Sequence, residues 1–411
     1  MPKPQDKPYD VIVLGATGYV GALIAEYLAK TYSGNELRWA MAGRSAAKLD
    51  AVKATLGDRG ARVATVVVDT ADAKALDALV AQTKVILTTV GPYAKYGSEV
   101  VAACARAGTD YVDLAGEAPW IQRMIDEHHD AAKASGARIV PCCGFDSIPS
   151  DLGVLFLHDE VKKRTGESPA AIKMRVKSMR GGASGGTIAS MMNMVEEATR
   201  DPAVRSALGN PYALNPKNER KGPRQPGMVP VAYDGDAQSW TAPFIMAAIN
   251  TRVVHRSNAL MNYAYGREFR YDEAMLTGGS FLGAPAALAV AGGMGAFGLA
   301  AAVGPVRRLL NDYVLPKPGD GPTPEQREKG NYDLLFIAVA KNGRAYKARV
   351  TGDRDPGYGS TAKMIAEAAI CLGETDHAQV PGGLWTPASA MGQRLISRLV
   401  ERAGLTFEML N

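Results

Sequence analysis

Apolar runs of strand length alternate with amphipathic stretches along residues 1–150. The first run, residues 10–14, ends at a glycine, and residues 19–30 carry apolar side chains at helical spacing. The pattern then repeats. Further strands are predicted at residues 37–42, 63–68, 85–90 and 137–140, and further helices at residues 46–56, 73–81, 96–107 and 120–135. Strands and helices that alternate in this way predict an α/β domain with a doubly wound parallel sheet over residues 1–150.

The pattern changes after about residue 150. Residues 172–179 alternate between apolar and polar side chains, as a half-buried antiparallel strand does. Two alternating runs within residues 333–350 flank Asn342–Gly343, a pair that favours a tight hairpin. A further strand is predicted at residues 263–271, and helices at residues 151–161, 187–199, 360–372 and 386–403. We therefore predict a second α/β domain at residues 151–379, with a mixed sheet covered by helices.

A glycine-rich loop joins the first predicted strand to the first helix. Its spacing is G-x-x-G-x-x-G, which permits a tight turn and a close approach of the backbone to a pyrophosphate, while the helix N-terminus offers amide donors. The predicted cofactor contacts are Gly15, Ala16, Thr17, Gly18, Tyr19, Val20 and Gly21. Because the loop lies between a strand and a helix, it predicts a Rossmann-type dinucleotide-binding domain.

The end of the second strand indicates which dinucleotide binds. An acidic side chain there would bind the ribose hydroxyls of NAD, but the sequence has Arg44 and Ser45, with Lys48 one helical turn further on. A guanidinium pairs well with a 2′-phosphate, so we predict NADP(H), with a solvated surface arginine as the alternative.

Strand order predicts three more cofactor contacts. Asp69 ends the third strand and is expected at the adenine edge. Gly91 and Pro92 follow the fourth strand and are expected beside the nicotinamide.

Two segments depart from the α/β pattern. Residues 209–230 combine five prolines with four basic residues and predict a long basic loop or lid. Residues 274–306 contain no charged residue over 33 positions, although alanine and glycine dominate them. Three alternatives remain for residues 281–303: a buried or substrate-lining helical hairpin, peripheral membrane insertion, and a membrane span.

Composition and cysteine spacing narrow the function classes. With 47 basic and 42 acidic residues, the net charge of +5 gives no support for nucleic-acid binding. The four cysteines form neither a disulfide framework nor a C-x-x-C motif, so we expect a cytoplasmic protein, with contact to the inner face of the plasma membrane as an open alternative.

No metal site is predicted, because the acidic and histidine cluster at residues 126–130 lies in a predicted solvated helix without partner ligands. A Tyr-x-x-x-Lys pair occurs only at Tyr313 and Lys317, where Pro316 interrupts it.

Several motifs together resemble those of the saccharopine dehydrogenase-like oxidoreductases, and within them the subgroup that includes the mycobacterial trans-acting enoyl reductases. The motifs are GATGYVG at 15–21, AGR at 42–44, TTVGPY at 88–93, YVDLAGE at 111–117, PCCGFDSIPSDLG at 141–153, GGASGGT at 181–187 and GGLWTPASAMG at 382–392. The resemblance implies a Rossmann half, a second domain that carries the substrate site and usually the subunit contact, and a C-terminal helix within residues 380–411 that returns to the first half. It also implies NADPH-dependent reduction of a carbon–carbon double bond in a long acyl or polyketide intermediate of lipid synthesis, in trans to a synthase.

Two other functions remain open from the residues. One is a saccharopine-type dehydrogenase acting on a C–N bond of an amino-acid derivative, which the lack of an arginine cluster in the second half disfavours. The other is a non-catalytic NADP-binding, membrane-associated scaffold. The expected partners are a long-chain acyl or polyketide substrate, presented by a carrier protein or the synthase, and a second copy in a homodimer.

Enoyl reduction requires a proton source and donors for the developing enolate oxygen. Tyr93 and Tyr96 are the predicted proton donors, and Ser147 with the amides of residues 144–146 is predicted to hold the carbonyl oxygen. The small residues at 184–187 are predicted to form a loop at the start of a helix, and this loop is a further candidate for the catalytic site. Each assignment has a structural alternative, such as side-chain packing for Tyr93, or a cap of the following helix for Asp146.

Overall fold

Two seven-stranded sheets organise the chain. The structure is a computed structural model that describes residues 7–34, 36–181, 185–227, 229, 231–310, 321–340 and 343–410. The strands are β1 (Tyr9–Leu14), β2 (Trp39–Gly43), β3 (Ala64–Val67), β4 (Thr83–Thr88), β5 (Asp110–Val112), β6 (Arg138–Val140), β7 (Ala171–Arg180), β8 (Ala232–Asp234), β9 (Ser239–Pro243), β10 (Arg270–Gly278), β11 (Asn331–Val339), β12 (Ala345–Gly352), β13 (Gly383–Leu384) and β14 (Leu405–Met409). The helices are α1 (Tyr19–Thr31), α2 (Ala46–Thr55), α3 (Ala73–Ala81), α4 (Tyr93–Tyr96), α5 (Ser98–Ala107), α6 (Ala118–Ser135), α7 (Ile148–Thr165), α8 (Gly185–Arg200), α9 (Pro202–Gly209), α10 (Ala247–Leu260), α11 (Gly283–Ala302), α12 (Gly304–Leu309), α13 (Pro324–Glu328), α14 (Thr361–Glu374), α15 (Pro387–Ala390) and α16 (Gly392–Arg398).

The first sheet is parallel, with the order β13-β6-β5-β4-β1-β2-β3. Its centre is β1, where Val11 lies in register with Trp39 of β2 on one side and Val85 of β4 on the other. β1 is buried apart from its first two residues, as expected for a strand covered by helices on both faces. The predicted doubly wound α/β domain is confirmed. β5 is not predicted from the sequence, because three residues are too few to show a period.

The second sheet is mixed, with the order β14-β12-β11-β7-β10-β9-β8. Its central strand β7 runs parallel to β10 and antiparallel to β11, so the predicted mixed sheet is confirmed. The hairpin of β11 and β12 is also confirmed, although Asn342 of its turn lies outside the described residues. The strand predicted at residues 263–271 is wrong, because Asn262 and Tyr263 have positive φ in a turn and the strand begins at Arg270.

The C-terminal part of the chain connects the two sheets. α14, placed in the second domain by the sequence analysis, packs against β4, β1 and β5 of the first sheet. The predicted return of residues 380–411 is divided between the two sheets, since β13 joins the first and β14 the edge of the second. The carboxylate of Glu367 on α14 is fully buried and accepts hydrogen bonds from the hydroxyls of Tyr27 at 2.6 Å and Tyr32 at 2.8 Å. The two halves of the chain therefore share one packed core.

The uncharged segment, residues 274–306, forms part of a strand and most of a helix. Its first residues, Ala274 to Gly278, complete β10, and most of the rest forms one helix, α11. Along α11 only Gly283, Ala287 and Ala301 are buried. A buried helical hairpin is therefore wrong, while the substrate-lining alternative stays a prediction. In the part of the chain that the structure describes, α11 is the one helix long and apolar enough to cross a membrane.

Candidate active site

The glycine loop has the shape of a dinucleotide cradle. Gly15 has φ of +87°, and a Cβ there would lie 2.8 Å from side-chain atoms of both Thr89 and Val90. At Gly21 a Cβ would lie 2.2 Å from the carbonyl oxygen of Gly15, a backbone atom that cannot swing aside. Both positions therefore require glycine, and the loop packs tightly between β1 and α1.

The N-terminus of α1 leaves amide groups available to a ligand. Gly18 is the N-cap residue, and no side chain caps the helix. The first amides of a helix lack intrahelical acceptors, so those of Tyr19, Val20 and Gly21 are donors of the kind that binds phosphate. The glycine cradle and these amides fit a dinucleotide pyrophosphate, with Ala16 and Thr17 completing the turn.

Tyr19 also links the loop to the second half of the chain. Its ring packs edge-on against Tyr358 with the centroids 4.9 Å apart. Its hydroxyl accepts a hydrogen bond from Arg327 at 2.5 Å and donates to the carbonyl of Pro322.

The residues predicted for the adenosine end lie beyond β2 and β3. Arg44 is exposed directly after β2, and Ser45 caps α2 by accepting from the amide of Lys48 at 3.3 Å. Gly43 lies against Thr17 of the glycine loop, which brings Arg44 close to that loop. Asp69 is exposed after β3, where its carboxylate accepts from the amide of Ala71 at 3.1 Å.

Asp113 organises the loops after β5 and β6. Its buried carboxyl group accepts hydrogen bonds from the amides of Ala115 at 2.9 Å and Cys142 at 3.0 Å, and from the hydroxyl of Tyr111 at 2.7 Å. Burial raises the pKa of Asp113 to about 6 against the opposing effect of these donors. Cys142 has φ of +64°, an uncommon conformation for a residue with a side chain, and such strain concentrates at functional sites.

Glu117 joins the first sheet to α8. Its buried carboxylate accepts from the amides of Tyr93 at 2.8 Å and Ala94 at 2.9 Å, at the start of α4. It also accepts from the hydroxyl of Ser190, on α8, at 2.7 Å. α8 is thereby held over the carboxyl edge of the parallel sheet, the edge at which ligands bind in open α/β folds.

Asp146 lies in the same region, in the turn between β6 and α7. A Cβ on Gly116 would lie 3.7 Å from its carboxylate and one on Gly144 3.2 Å, so two glycines leave space around this side chain. The side chain is partly exposed, and desolvation by its surroundings, with the nearby charge of Asp113, raises the pKa of Asp146 to about 7. From the sequence, Asp146 is predicted only to supply a backbone amide or a helix cap, because its pKa depends on groups distant in sequence.

A cleft of about 500 Å³ opens on one side of this region. The exposed Tyr96 and Pro92 form its wall on the first domain, and Met192 of α8 and Arg307 of α12 lie on the opposite wall. The predicted residues Tyr96 and Pro92 are therefore brought together at a cavity.

Comparisons with known proteins agree with this geometry. Residues 11–140 match the model of the saccharopine dehydrogenase NADP binding domain. A Mycobacterium tuberculosis protein named as a trans-acting enoyl reductase is 42% identical over 403 residues, 96% of each chain. The chain belongs to the saccharopine dehydrogenase-like oxidoreductases. The trans-acting enoyl reductase of Mycobacterium leprae is 39% identical over 409 residues, again 96% of each chain. Apo saccharopine dehydrogenase (L-Glu forming) from Saccharomyces cerevisiae has the same fold, with a TM-score of 0.54 at 12% identity over 98% of this chain and all of that chain.

This family member is an NADP-dependent oxidoreductase, and its first domain binds NADP(H). The predicted cofactor and enzyme class are confirmed. The roles of individual residues at the site remain predictions, and the contacts change two of them.

Tyr93 is not suited to the predicted role of proton donor in this oxidoreductase. It is buried, and its hydroxyl donates to the carbonyl of Thr88 at 3.2 Å and accepts from the amide of Leu114 at 3.1 Å. Burial, with the charge of Asp113, raises the pKa of Tyr93 well above its usual value. The phenol fastens one loop to another, and these contacts disfavour the predicted role.

The contacts of Ser147 likewise disfavour its predicted role in holding the carbonyl oxygen. Its side chain is fully buried, and its hydroxyl donates to Asn250 of the second domain at 3.0 Å. Asn250 in turn donates to the buried carboxylate of Glu273 at 2.9 Å. Of the amides predicted to hold a carbonyl oxygen, that of Phe145 donates to Thr361 at 3.0 Å, while that of Asp146 faces its own carboxyl group.

The cysteines, the acidic and histidine cluster and the basic loop were the other groups considered from the sequence. All four cysteines are buried, and burial raises the pKa of each thiol. Within the described ranges no three metal-ligating side chains converge. The basic loop is fixed by an ion pair of 2.6 Å between Arg220 and Asp126. Tyr313, Lys317 and residue 184 lie outside the described residues.

Proposed function

We propose that this oxidoreductase reduces the carbon–carbon double bond of a long acyl or polyketide lipid intermediate, acting in trans to the synthase that makes it. Two relatives that match nearly the full chain carry the name trans-acting enoyl reductase. When bound, NADPH supplies the hydride that adds to the β-carbon of the double bond. The chain must then bind the cofactor, orient the acyl group and deliver a proton to the α-carbon.

The observation that carries this proposal is the environment of Asp146. A carboxyl group with a pKa near 7 is half protonated at neutral pH and is therefore suited to act as a general acid. It lies at the carboxyl edge of the parallel sheet, among the loops after β5 and β6, where the substrate end of the cofactor is expected. We assign the proton transfer to Asp146, with Tyr96 at the wall of the cleft as the further candidate.

The buried arginines of the second domain also favour an acyl substrate over a polycarboxylate one. Arg175 donates to Asp234 at 2.8 Å and to Asp272 at 2.5 Å. Arg252 and Arg256 donate to backbone carbonyls, including that of Leu384 at 2.6 Å from Arg256. These guanidinium groups are held by protein partners, which disfavours the saccharopine-type alternative.

A substrate assay tests the proposed reaction. With NADPH, the purified protein is expected to reduce medium- and long-chain 2-enoyl thioesters, measured as the decrease of absorbance at the nicotinamide band and as saturated product by mass spectrometry. Saccharopine with NADP is the comparison substrate. Turnover of saccharopine alone would contradict the proposal, and tight NADPH binding without turnover of either would favour the scaffold alternative.

Cofactor selectivity provides a second test. We propose that Arg44 binds the 2′-phosphate, and a charge-assisted contact of this kind contributes about 2 kcal/mol, or about 30-fold in affinity. Arg44→Ala is therefore expected to weaken NADPH binding by about 30-fold and to leave NADH binding nearly unchanged, by fluorescence titration. Arg62→Ala, at an exposed arginine before β3, is the matched control. Equal losses for both cofactors would refute the role of Arg44.

A further inference from the structure

α11 presents apolar surface to its surroundings instead of to a protein core. At 1.5 Å per residue its 20 residues extend over about 30 Å. The exposed fractions are 62% at Leu288 and 74% at Leu299, and Phe281 just before the helix is 84% exposed. Val303, Val306 and Leu309 continue this exposed surface into α12. We call this set of six residues the apolar ridge.

The polar face that a water-facing helix carries is missing from α11. The comparable helix α6 buries Trp120, Ile121 and Met124 on one side and exposes charged residues, including Glu127 and Asp130, on the other. Residues 274–306 contain no charged side chain at all. An exposed helix without charges is adapted to a medium other than water.

The distribution of exposed positions indicates what that medium is. Only Gly283, Ala287 and Ala301 of α11 are buried against the protein, and at 100° per residue the exposed positions extend over roughly two-thirds of the helix circumference. One docked protein helix covers a narrower face than this, whereas lipid surrounds all exposed sides. The ridge is also longer than the helix, because Phe281 and α12 extend it at both ends.

Positive charge lies where the apolar ridge ends. Arg307 and Arg308 interrupt the apolar sequence within α12. Together with Lys95 and Arg200 they line the cleft described above, where Glu196 is the one carboxylate among the lining residues. Cations at the edge of an apolar surface complement anionic lipid headgroups.

We infer that the apolar ridge inserts into the surface of an anionic lipid bilayer, with α11 lying in the interface and Arg307 and Arg308 at the headgroups. This is the arrangement of a monotopic anchor, in which one side of the helix packs on the protein and the exposed apolar side faces lipid. The cleft that contains Tyr96 then opens at the membrane surface, since Gly304 and Arg307 of its wall follow α11 directly. This last step rests on the proposed function, and it provides a lipid-borne acyl chain with a route from the bilayer to the active site.

Vesicle flotation of the full chain with NADPH tests the docking without using the reaction. We expect the protein to float with vesicles of phosphatidylcholine and phosphatidylglycerol, and about 10-fold less with phosphatidylcholine alone. The double variant Leu288→Asp/Leu299→Asp is expected to lower the partition coefficient at least 30-fold. Ile245→Asp/Val400→Asp changes two exposed apolar residues elsewhere and is expected to float as the wild type does. NADPH titration and thermal unfolding verify that both variants are folded.

Charge variants separate the headgroup contact from the apolar one. Arg307→Gln/Arg308→Gln is expected to reduce binding to the anionic vesicles about 10-fold, to the level of neutral ones. Lys162→Gln/Lys163→Gln, at the exposed end of α7, is the matched control. Flotation that is absent in the wild type, or unchanged in the Leu288 and Leu299 variant, would overturn the inference. A wild-type dimer that the same variant converts to a monomer, without vesicle binding, would assign the ridge to a second copy instead.

Discussion

Replacing Asp146 by asparagine is expected to lower kcat for enoyl reduction by at least 100-fold while NADPH binds with unchanged affinity. General acids contribute about 10²- to 10⁴-fold to rate, and an amide has no proton of comparable acidity to give. The substitution preserves the shape of the side chain between Gly116 and Gly144. Single-turnover kinetics with a 2-enoyl thioester measures the loss of rate, and a fluorescence titration measures NADPH affinity.

The pH profile gives a signature that a structural role would not give. Because the pKa of Asp146 is raised to about 7, the protonated acid is present below that pH and is lost above it. The wild-type kcat/KM is therefore expected to decrease as pH rises through about 7, and Asp146→Asn is expected to lack this decrease. Asp77→Asn, at an exposed ion pair with Arg106, serves as the control and should retain the wild-type profile. An unchanged rate or an unchanged alkaline decrease in Asp146→Asn would disprove the assignment.

Gly21→Ala is expected to weaken NADPH binding by about 100-fold. Its new Cβ would lie 2.2 Å from the carbonyl oxygen of Gly15 and 2.7 Å from the Cα of Ala16, so the turn must open and displace the amides beneath the pyrophosphate. Overpacking of this kind costs about 1–3 kcal/mol, and small displacements of binding groups cost about 100-fold. Isothermal titration with NADPH and thermal unfolding report the two effects.

The matched control for this substitution is Gly209→Ala. An added Cβ at Gly209 meets no heavy atom within 4 Å, so affinity and unfolding temperature are expected to stay at wild-type values. Wild-type NADPH affinity in Gly21→Ala would show that the loop tolerates the added atom and that the cradle is not the pyrophosphate site.

The contacts of Glu117 and Ser190 explain how one chain combines a cofactor domain with a cleft for another ligand. Glu117 belongs to the first domain and Ser190 to the helix that covers it, and their hydrogen bond fixes α8 above the carboxyl edge of the sheet. The same helix contributes Met192 to the cleft. The position of the cleft beside the cofactor edge is therefore a property of the packed domains together.

The sequence alone determined the features that depend on local order. Strand and helix periods predicted the parallel sheet, and glycine spacing predicted the loop, because each constraint acts between residues close along the chain. The predicted contact of Arg44 with the 2′-phosphate rested on its position directly after the second strand. The lack of charge in residues 274–306 was likewise visible without any structure.

Tertiary structure alone determined the features that depend on contacts between residues distant in sequence. Tyr93 and Ser147 carry the right chemistry, but their hydroxyls are held by distant partners, whereas the pKa of Asp146 is raised by desolvation and by the charge of Asp113. Whether α11 is buried or exposed depends on what packs against it, and a sequence without charges is compatible with both. Desolvation and contact between distant residues are properties of the folded chain, so the proposed proton donor and the apolar ridge became visible only once the two sheets were assembled.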